Sequence, residues 1–298
     1  MFELNPPLPQ EGSLAPGLEP AVSDLPCMAS ATRIAPYLQR LCRMRPDTVK
    51  AILADGGESV VQSAIDAART LDAQTPDADA RRILRQSKAD VHLALASLDL
   101  SCTWDWDKVT DGFSDFADAA TEAALRVACW QVSQKGWIEY ADPTQPMPGI
   151  FLLALGKLGA KELNYSSDID IVAMFDADRL PEGKMSPGEV APRIIQLMSQ
   201  ILEAPTEHGY VLRVDHRLRP DPRSTPICVS TTSAELYYES VGQNWERMAY
   251  IKARPAAGDT AAAEAFLETM VPFVWRRHLD FWALEDIRAI KQLSLIHI

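Results

Sequence analysis

The sequence predicts an α+β protein: helical periodicity fills its first half, short apolar strand-like runs crowd its middle, and helix-favouring residues return near its end. From about residue 31 to 140 the apolar positions are helical. Phe113, Phe116, Ala117, Ala120, Ala124, Val127 and Ala128 step by threes and fours and mark one buried stripe. After Pro146 and Pro148 the texture changes. Ile150 to Leu155 is a continuous apolar run closed by Gly156, as a buried strand would be, and Ile169 to Phe175 is a second such run. Ile194, Ile195, Leu197, Met198, Ile201 and Leu202 then recur at helical spacing. Tyr210 to Leu218 returns to strand character. Alternation puts Leu212, Val214 and Leu218 on one face and Arg213, Asp215 and Arg217 on the other.

These signals divide the chain into four parts. Residues 1–30 carry Pro6, Pro7, Pro9, Pro16, Pro20 and Pro26 with few large apolar groups, which favours an extended, flexible arm. A helical lead follows over 31–140, a mixed α+β region over 141–255, and the start of a helical region over 256–298. Trp104, Trp106, Trp275 and Trp282 are expected in the core.

A chain of 298 residues with 47% hydrophobic and 23% charged residues can bury one or two cores. The formal net charge of −12 argues against a large nucleic-acid interface, which depends on neutralising phosphates with Lys and Arg. No apolar run approaches the roughly 20 residues needed to cross a bilayer, and the N-terminus lacks a signal-peptide pattern. Its first basic residue is Arg33, unlike an organelle transit peptide, so the cytoplasm is the expected location. Cys27, Cys42, Cys102, Cys129 and Cys228 show neither CxxC pairing nor zinc spacing and read as free thiols.

The chemistry concentrates at Ser167-Asp168-Ile169-Asp170-Ile171. Two carboxylates two apart on a strand share a face, with Cα atoms roughly 6.6 Å apart, while Ile169 and Ile171 point to the core. Such a pair is ordinarily a solvated edge or turn. Here it follows Gly156-Lys157-Leu158-Gly159 at a strand end, where glycine lets backbone amides approach phosphate oxygens, and Ser166 and Ser167 add donors. Convergence with Asp215 would set like charges together, costing about 4 kcal/mol per pair ~4 Å apart at an effective dielectric near 20. Bound cations would remove that repulsion. Oxygen-only ligands favour Mg²⁺, with Mn²⁺ as an alternative, so Asp168, Asp170 and Asp215 are the candidate catalytic and metal-binding residues. Arg217 and Arg219 share the expected Asp215 face, and Lys252 and Arg254, also two apart, could hold phosphate oxygens from a neighbouring strand; surface ion pairs are the alternative. His216 is expected to pack and His208 to lie at the surface.

The stretch GKLGAKELNYSSDIDIVAMF, Gly156 to Phe175, resembles the signature of the bifunctional glutamine synthetase adenylyltransferase/deadenylase family. RVDHRLRP from Arg213, YYESVGQNWERMAYIKARP from Tyr237, and the earlier LRQSKADVHLALASLDL from Leu84 resemble its other blocks in order. The resemblance covers most of residues 30–292 and implies a nucleotidyltransferase (polymerase-beta-like) fold with a mixed sheet, flanked by helical regions. That family carries two such domains with opposed activities. The Asn164-Tyr165-Ser166-Ser167 approach and Asn244-Trp245-Glu246-Arg247 look like the N-terminal, adenylyl-removing copy.

The resemblance therefore implies Mg²⁺-dependent phosphorolysis of a tyrosine–AMP ester on glutamine synthetase, giving ADP. It implies glutamine synthetase, the PII signalling protein, ADP or ATP, and inorganic phosphate as partners, with neither nucleic acid nor membrane. The rivals are adenylylation from ATP, a catalytically silent module binding nucleotide or PII, and, last, a generic polymerase. Glu246 and Arg247 are expected to orient neighbours, since Trp245 suggests a packed position. The Asp221 to Pro226 loop departs from a glycine-containing family turn by carrying Pro222 and Pro226. Leu293 to Ile298 do not resemble the family and read as a truncation just after Gln292.

Overall fold

The computed structural model describes Val22, residues 24–275, Glu285 and Arg288. Most of the expected arm, Trp282 and the stretch from Leu293 lie outside the described residues. Helix formation begins at Pro26, inside the stretch expected to be extended. Three short helices, α1 (Pro26–Ile34), α2 (Pro36–Met44) and α3 (Pro46–Asp55), each start with proline in the first turn, where its missing N–H and fixed φ cost nothing. The longer α4 (Gly57–Arg69), α5 (Asp77–Leu100) and α6 (Trp106–Ser133) follow.

Asp105 caps α6 by accepting the Lys108 amide at 3.0 Å. The predicted stripe of α6, Phe113 through Ala128, is buried throughout. Its alanines let α6 lie close against α4, α5 and α8 (Pro187–Glu203). A capping box between Ser186 and Glu189 starts α8, and its predicted apolar positions Ile194, Ile195, Met198, Ile201 and Leu202 are fully buried.

The architecture is α+β with a mixed five-stranded sheet, as the sequence predicts. Its central strand β1 (Ile150–Ala154) pairs antiparallel with β2 (Ile169–Phe175) and with β5 (Arg254–Gly258). One edge of β2 carries two parallel partners in succession: β3 (Val214–Asp215) beside Ile169 and Asp170, and β4 (Cys228–Ser230) beside Ala173 to Phe175. Residues 216–227 interrupt that edge.

Both faces of the sheet are covered. Ile150, Leu152, Ile169, Ile171 and Ala173 join the apolar core of the helical lead and α8. Phe151, Leu153, Val172 and Met174 face a second core with α9 (Thr231–Ser240), α10 (Asn244–Tyr250) and α11 (Thr260–Val274). Period-two alternation on β1 and β2 thus welds the lead to one face of the sheet, and α11 packs on β1 and β5.

Two expectations need correction. The strand expected over Tyr210 to Leu218 shrinks to Val214–Asp215, and its apolar face splits: Leu212 and Val214 join the first core, Leu218 the second. The reason is local, since the Asp215 carboxylate accepts the Arg217 amide at 2.8 Å and turns the chain. The tryptophans are not uniformly core. Trp106 and Trp275 are 60% and 61% exposed, while Trp104 is partly buried against the first core.

Candidate functional site

The three predicted acids lie at neighbouring positions where β2 begins beside β3. Asp170 is in parallel register with Asp215, and Asp168 lies two residues earlier, on the face opposite Ile169 and Ile171. Gly156, in α7 (Gly156–Gly159) directly after β1, has φ +55, and a Cβ there would sit 2.3 Å from Asp170 Oδ2. Only glycine leaves the Asp170 carboxylate its place. Gly159 serves packing, since its Cβ would lie 2.2 Å from the Lys252 carbonyl oxygen.

The acids differ in environment. Burial pushes the Asp170 carboxyl above its ordinary range, and the negative charges of Asp215 and Asp168 add to the shift against the pull of Arg217 and Lys157. Asp215 goes the other way: Arg217 donates Nε at 2.9 Å to Oδ2 and 3.0 Å to Oδ1, holding that carboxyl below its usual range. Asp168 accepts from Arg213 Nε, while Arg213 Nη2 donates to the Ser166 carbonyl at 2.6 Å. Asp168 and Asp215 are therefore turned onto guanidinium groups. Among the described residues no three His, Cys, Asp or Glu side chains stand together in a form that could hold a metal ion.

The remaining predicted residues divide. Lys157 is exposed and acts on Asp170 through its charge. Ser167 Oγ donates to Asn164 Oδ1 at 2.7 Å, and the Ser166 amide donates to the same oxygen, so both serines shape the approach turn. Arg217 belongs to the acid cluster; Arg219 does not. Its guanidinium donates to the carbonyls of His216, Pro222 and Thr225 and knots the 216–225 loop, contrary to the expected shared face with Asp215. Lys252 precedes β5 and pairs with Glu162 at 2.8 Å. Arg254 reaches Asp118 and the Leu158 carbonyl, tying α6 to α7, so it too is drawn from the acids by a nearer partner.

His216 packs as expected, with Nε2 2.9 Å from Ser199 Oγ on α8, and burial pushes it down to about 4, so it is neutral near pH 7. His208 is half-buried. Glu246 and Arg247 are buried and act on neighbours: Glu246 accepts from the Gln243 amide and from Tyr237 Oη, and Arg247 donates to the Phe273 carbonyl. Trp245, just before them, is 38% exposed rather than packed, because α10 turns it outward. Sequence reasoning missed Arg213 as the partner of Asp168. Its place one residue before Val214, on the predicted Asp215 face, was the available signal.

Residues 25–269 match the family described as glutamate-ammonia ligase adenylyltransferase. The chain belongs to that family. It is 48% identical over 271 residues to the bifunctional glutamine synthetase adenylyltransferase/adenylyl-removing enzyme of Caulobacter vibrioides, covering 89% of this chain and 27% of that protein. It is 40% identical over 279 residues to the protein of the same description from Rhizobium meliloti, covering 91% and 28%. For that of a Bradyrhizobium strain the identity is 42% over 267 residues, covering 88% and 26%. The chain thus spans about a quarter of the length of these relatives. Among the described residues no helix is long and apolar enough to cross a membrane.

Proposed function

We propose that this chain removes AMP from a tyrosine of glutamine synthetase by phosphorolysis, on a nucleotidyltransferase (polymerase-beta-like) fold, with Mg²⁺ held by Asp168, Asp170 and Asp215. The observation that carries the reading is the parallel register of Asp170 with Asp215, beside Asp168 and a glycine turn, in a chain of this family. The donor chemistry suits the ion, with Asp168 and Asp215 required to leave Arg213 and Arg217 to reach it. All three side chains offer oxygen, and Asp170, raised first by burial and then by the negative charges of Asp215 and Asp168, would be relieved by a cation. When bound, Mg²⁺ (or Mn²⁺) supplies charge neutralisation at the transferring phosphoryl group.

In the proposed reaction an oxygen of inorganic phosphate forms a bond to the α-phosphorus of the tyrosine–AMP ester. The bond from that phosphorus to the phenolic oxygen breaks, the phenol takes up a proton, and ADP leaves. Phosphate is already an anion at neutral pH, so positioning and charge neutralisation supply most of the rate. That fits a site without a histidine base, since neutral His216 is committed to Ser199. Exposed Arg217 and Lys157 are the cations placed to take phosphate oxygens once Asp215 and Asp170 turn to the ion. The adenylyl-removing direction rests on the resemblance of Asn164 to Ser167 and Asn244 to Arg247 to that copy of the domain. Glutamine synthetase is the substrate in this reading, with PII and adenine nucleotides as further partners in the cytoplasm.

The test is phosphate-dependent release of ADP from adenylylated glutamine synthetase, with and without Mg²⁺. Release by the native chain, lost in Asp168→Asn and Asp170→Asn, is the expected result. Full activity in both variants refutes the site. Label transfer from ATP to unmodified glutamine synthetase, without phosphate-dependent ADP release, refutes the direction.

A further inference from the structure

A second charged site lies beside the acids and has the opposite sign. A cavity of about 330 Å³ opens where α2 and α5 meet the 208–210 turn, with Arg40, Arg85, Lys88, Tyr37, Tyr165 and Tyr210 on its walls. Its cations come from two helices, α2 and α5, and its aromatic wall partly from the 208–210 turn, so only the fold assembles them.

None of the three cations pairs with an Asp or Glu among the described residues. Arg85 is 1% exposed, yet donates only to backbone carbonyls, Gly209 at 2.7 Å and Arg81 at 2.9 Å among them. Lys88 Nζ lies 3.9 Å from the Tyr210 ring centroid and 3.1 Å from the Tyr210 carbonyl oxygen. Arg40 stands over the Tyr37 ring at 5.8 Å. Carbonyls and ring faces solvate a cation but carry no net charge, so the positive field in the cavity stays uncompensated. Lys88 registers it: burial and the charges of Arg213, Arg85 and Arg40 push its ammonium down to about 8. Of the other polar walls, His92 is held unprotonated by burial and bonded to Tyr37 Oη at 2.8 Å, while the acids Glu207, beside His208, and Asp99, beside Tyr165, lie at the rim.

We propose that this cavity is a binding site for a compact dianion, free phosphate or a small dicarboxylate, held by Lys88 and Arg40 above the fixed charge of Arg85. The volume suits such a ligand with its last waters, and the net charge of −12 on the chain disfavours a polyanionic macromolecule there. The site is separate from the reaction proposed above but wired to it. Arg213 donates to Tyr210 Oη at 3.0 Å on the cavity wall and to Asp168 on the other side, so an anion in the cavity competes for the guanidinium that now occupies Asp168.

Isothermal titration of the full chain with inorganic phosphate and, separately, with succinate, at ionic strength fixed by chloride, tests the proposal. One saturable site per chain is expected for at least one dianion, and which one binds identifies the source. Lys88→Met keeps the apolar stem on Tyr210 and removes the charge; it should weaken binding at least tenfold, as should Arg40→Gln at the exposed rim. Asp170→Asn, which disables the catalytic acids, should leave the affinity unchanged, so failure of the phosphorolysis reading and failure of this one are distinguishable. No binding of either dianion in the millimolar range, binding indifferent to both Lys88→Met and Arg40→Gln, or binding lost in Asp170→Asn overturns the proposal.

Discussion

Replacing Asp170 with Asn should stabilise the protein while destroying its activity. Asp170 and Asp215 are register partners on adjacent strands, about 4.8 Å apart along the ladder. Two unit charges ~5 Å apart repel by about 3 kcal/mol at an effective dielectric near 20, and by about 0.8 kcal/mol in water. Asp170 is half-buried, and Arg217 and Lys157 oppose the repulsion, so the net cost belongs near the lower figure, about 1 kcal/mol. For a chain of this size that is a rise of about 2–4 °C in Tm.

The sign follows from the raised carboxyl. The folded state holds that proton more tightly than the unfolded state, so the group favours folding below the ordinary value of 3.8, and this contribution is lost as pH rises through the higher folded value. The gain from Asn should therefore be full at neutral pH and vanish near pH 3.8 and below. Thermal unfolding followed by circular dichroism at both ends of that window reads it. Magnesium should then reverse the order, because only the native chain gains from binding, by about 2.7 kcal/mol at a hundred times Kd. A lower Tm for Asp170→Asn at neutral pH without metal, or a gain that ignores pH, would refute the electrostatic reasoning.

Two further outcomes follow from the packing. Gly156→Ala meets both a left-handed φ, costing about 1–2 kcal/mol, and the Asp170 carboxylate; ADP release should fall more than tenfold in a folded protein, and unchanged turnover would show that Asp170 has room to move. Phe116→Ala empties a fully buried position on α6, so its urea midpoint should drop by the equivalent of about 3–5 kcal/mol, whereas a change below about 1 kcal/mol would mean the site collapses without penalty.

Much of this architecture was legible from periodicity. The α6 stripe, the two apolar runs that became β1 and β2, and α8 bury the positions that the spacing selects, with Leu197 on α8 only partly covered, because one-dimensional pattern and local geometry agree there. Legibility fails where a side chain chooses its partner through the third dimension. Arg219 and Arg254 sit at phosphate-friendly spacings, yet carbonyls of the 216–225 loop and Asp118 on α6 claim them. The strand expected over Tyr210 to Leu218 failed for a different reason: Val211 and Leu212 are both buried against the first core with their amides on the Leu202 carbonyl, and past Asp215 a two-residue side-chain-to-backbone turn ends the pairing. The cationic cavity had no linear signature at all, since Arg40, Lys88 and Tyr210 meet only after folding.

The apolar mass shared by the helical lead and one side of the sheet means that the lead is a wall of the room that holds the acids rather than a porch in front of it. Cutting it away would bare Ile150, Leu152, Ile169 and Ile171, the residues on whose backs the acids are mounted. Any shortened version that keeps the acidic strand but discards α6 would lose the backing that fixes Asp168 and Asp170 in place.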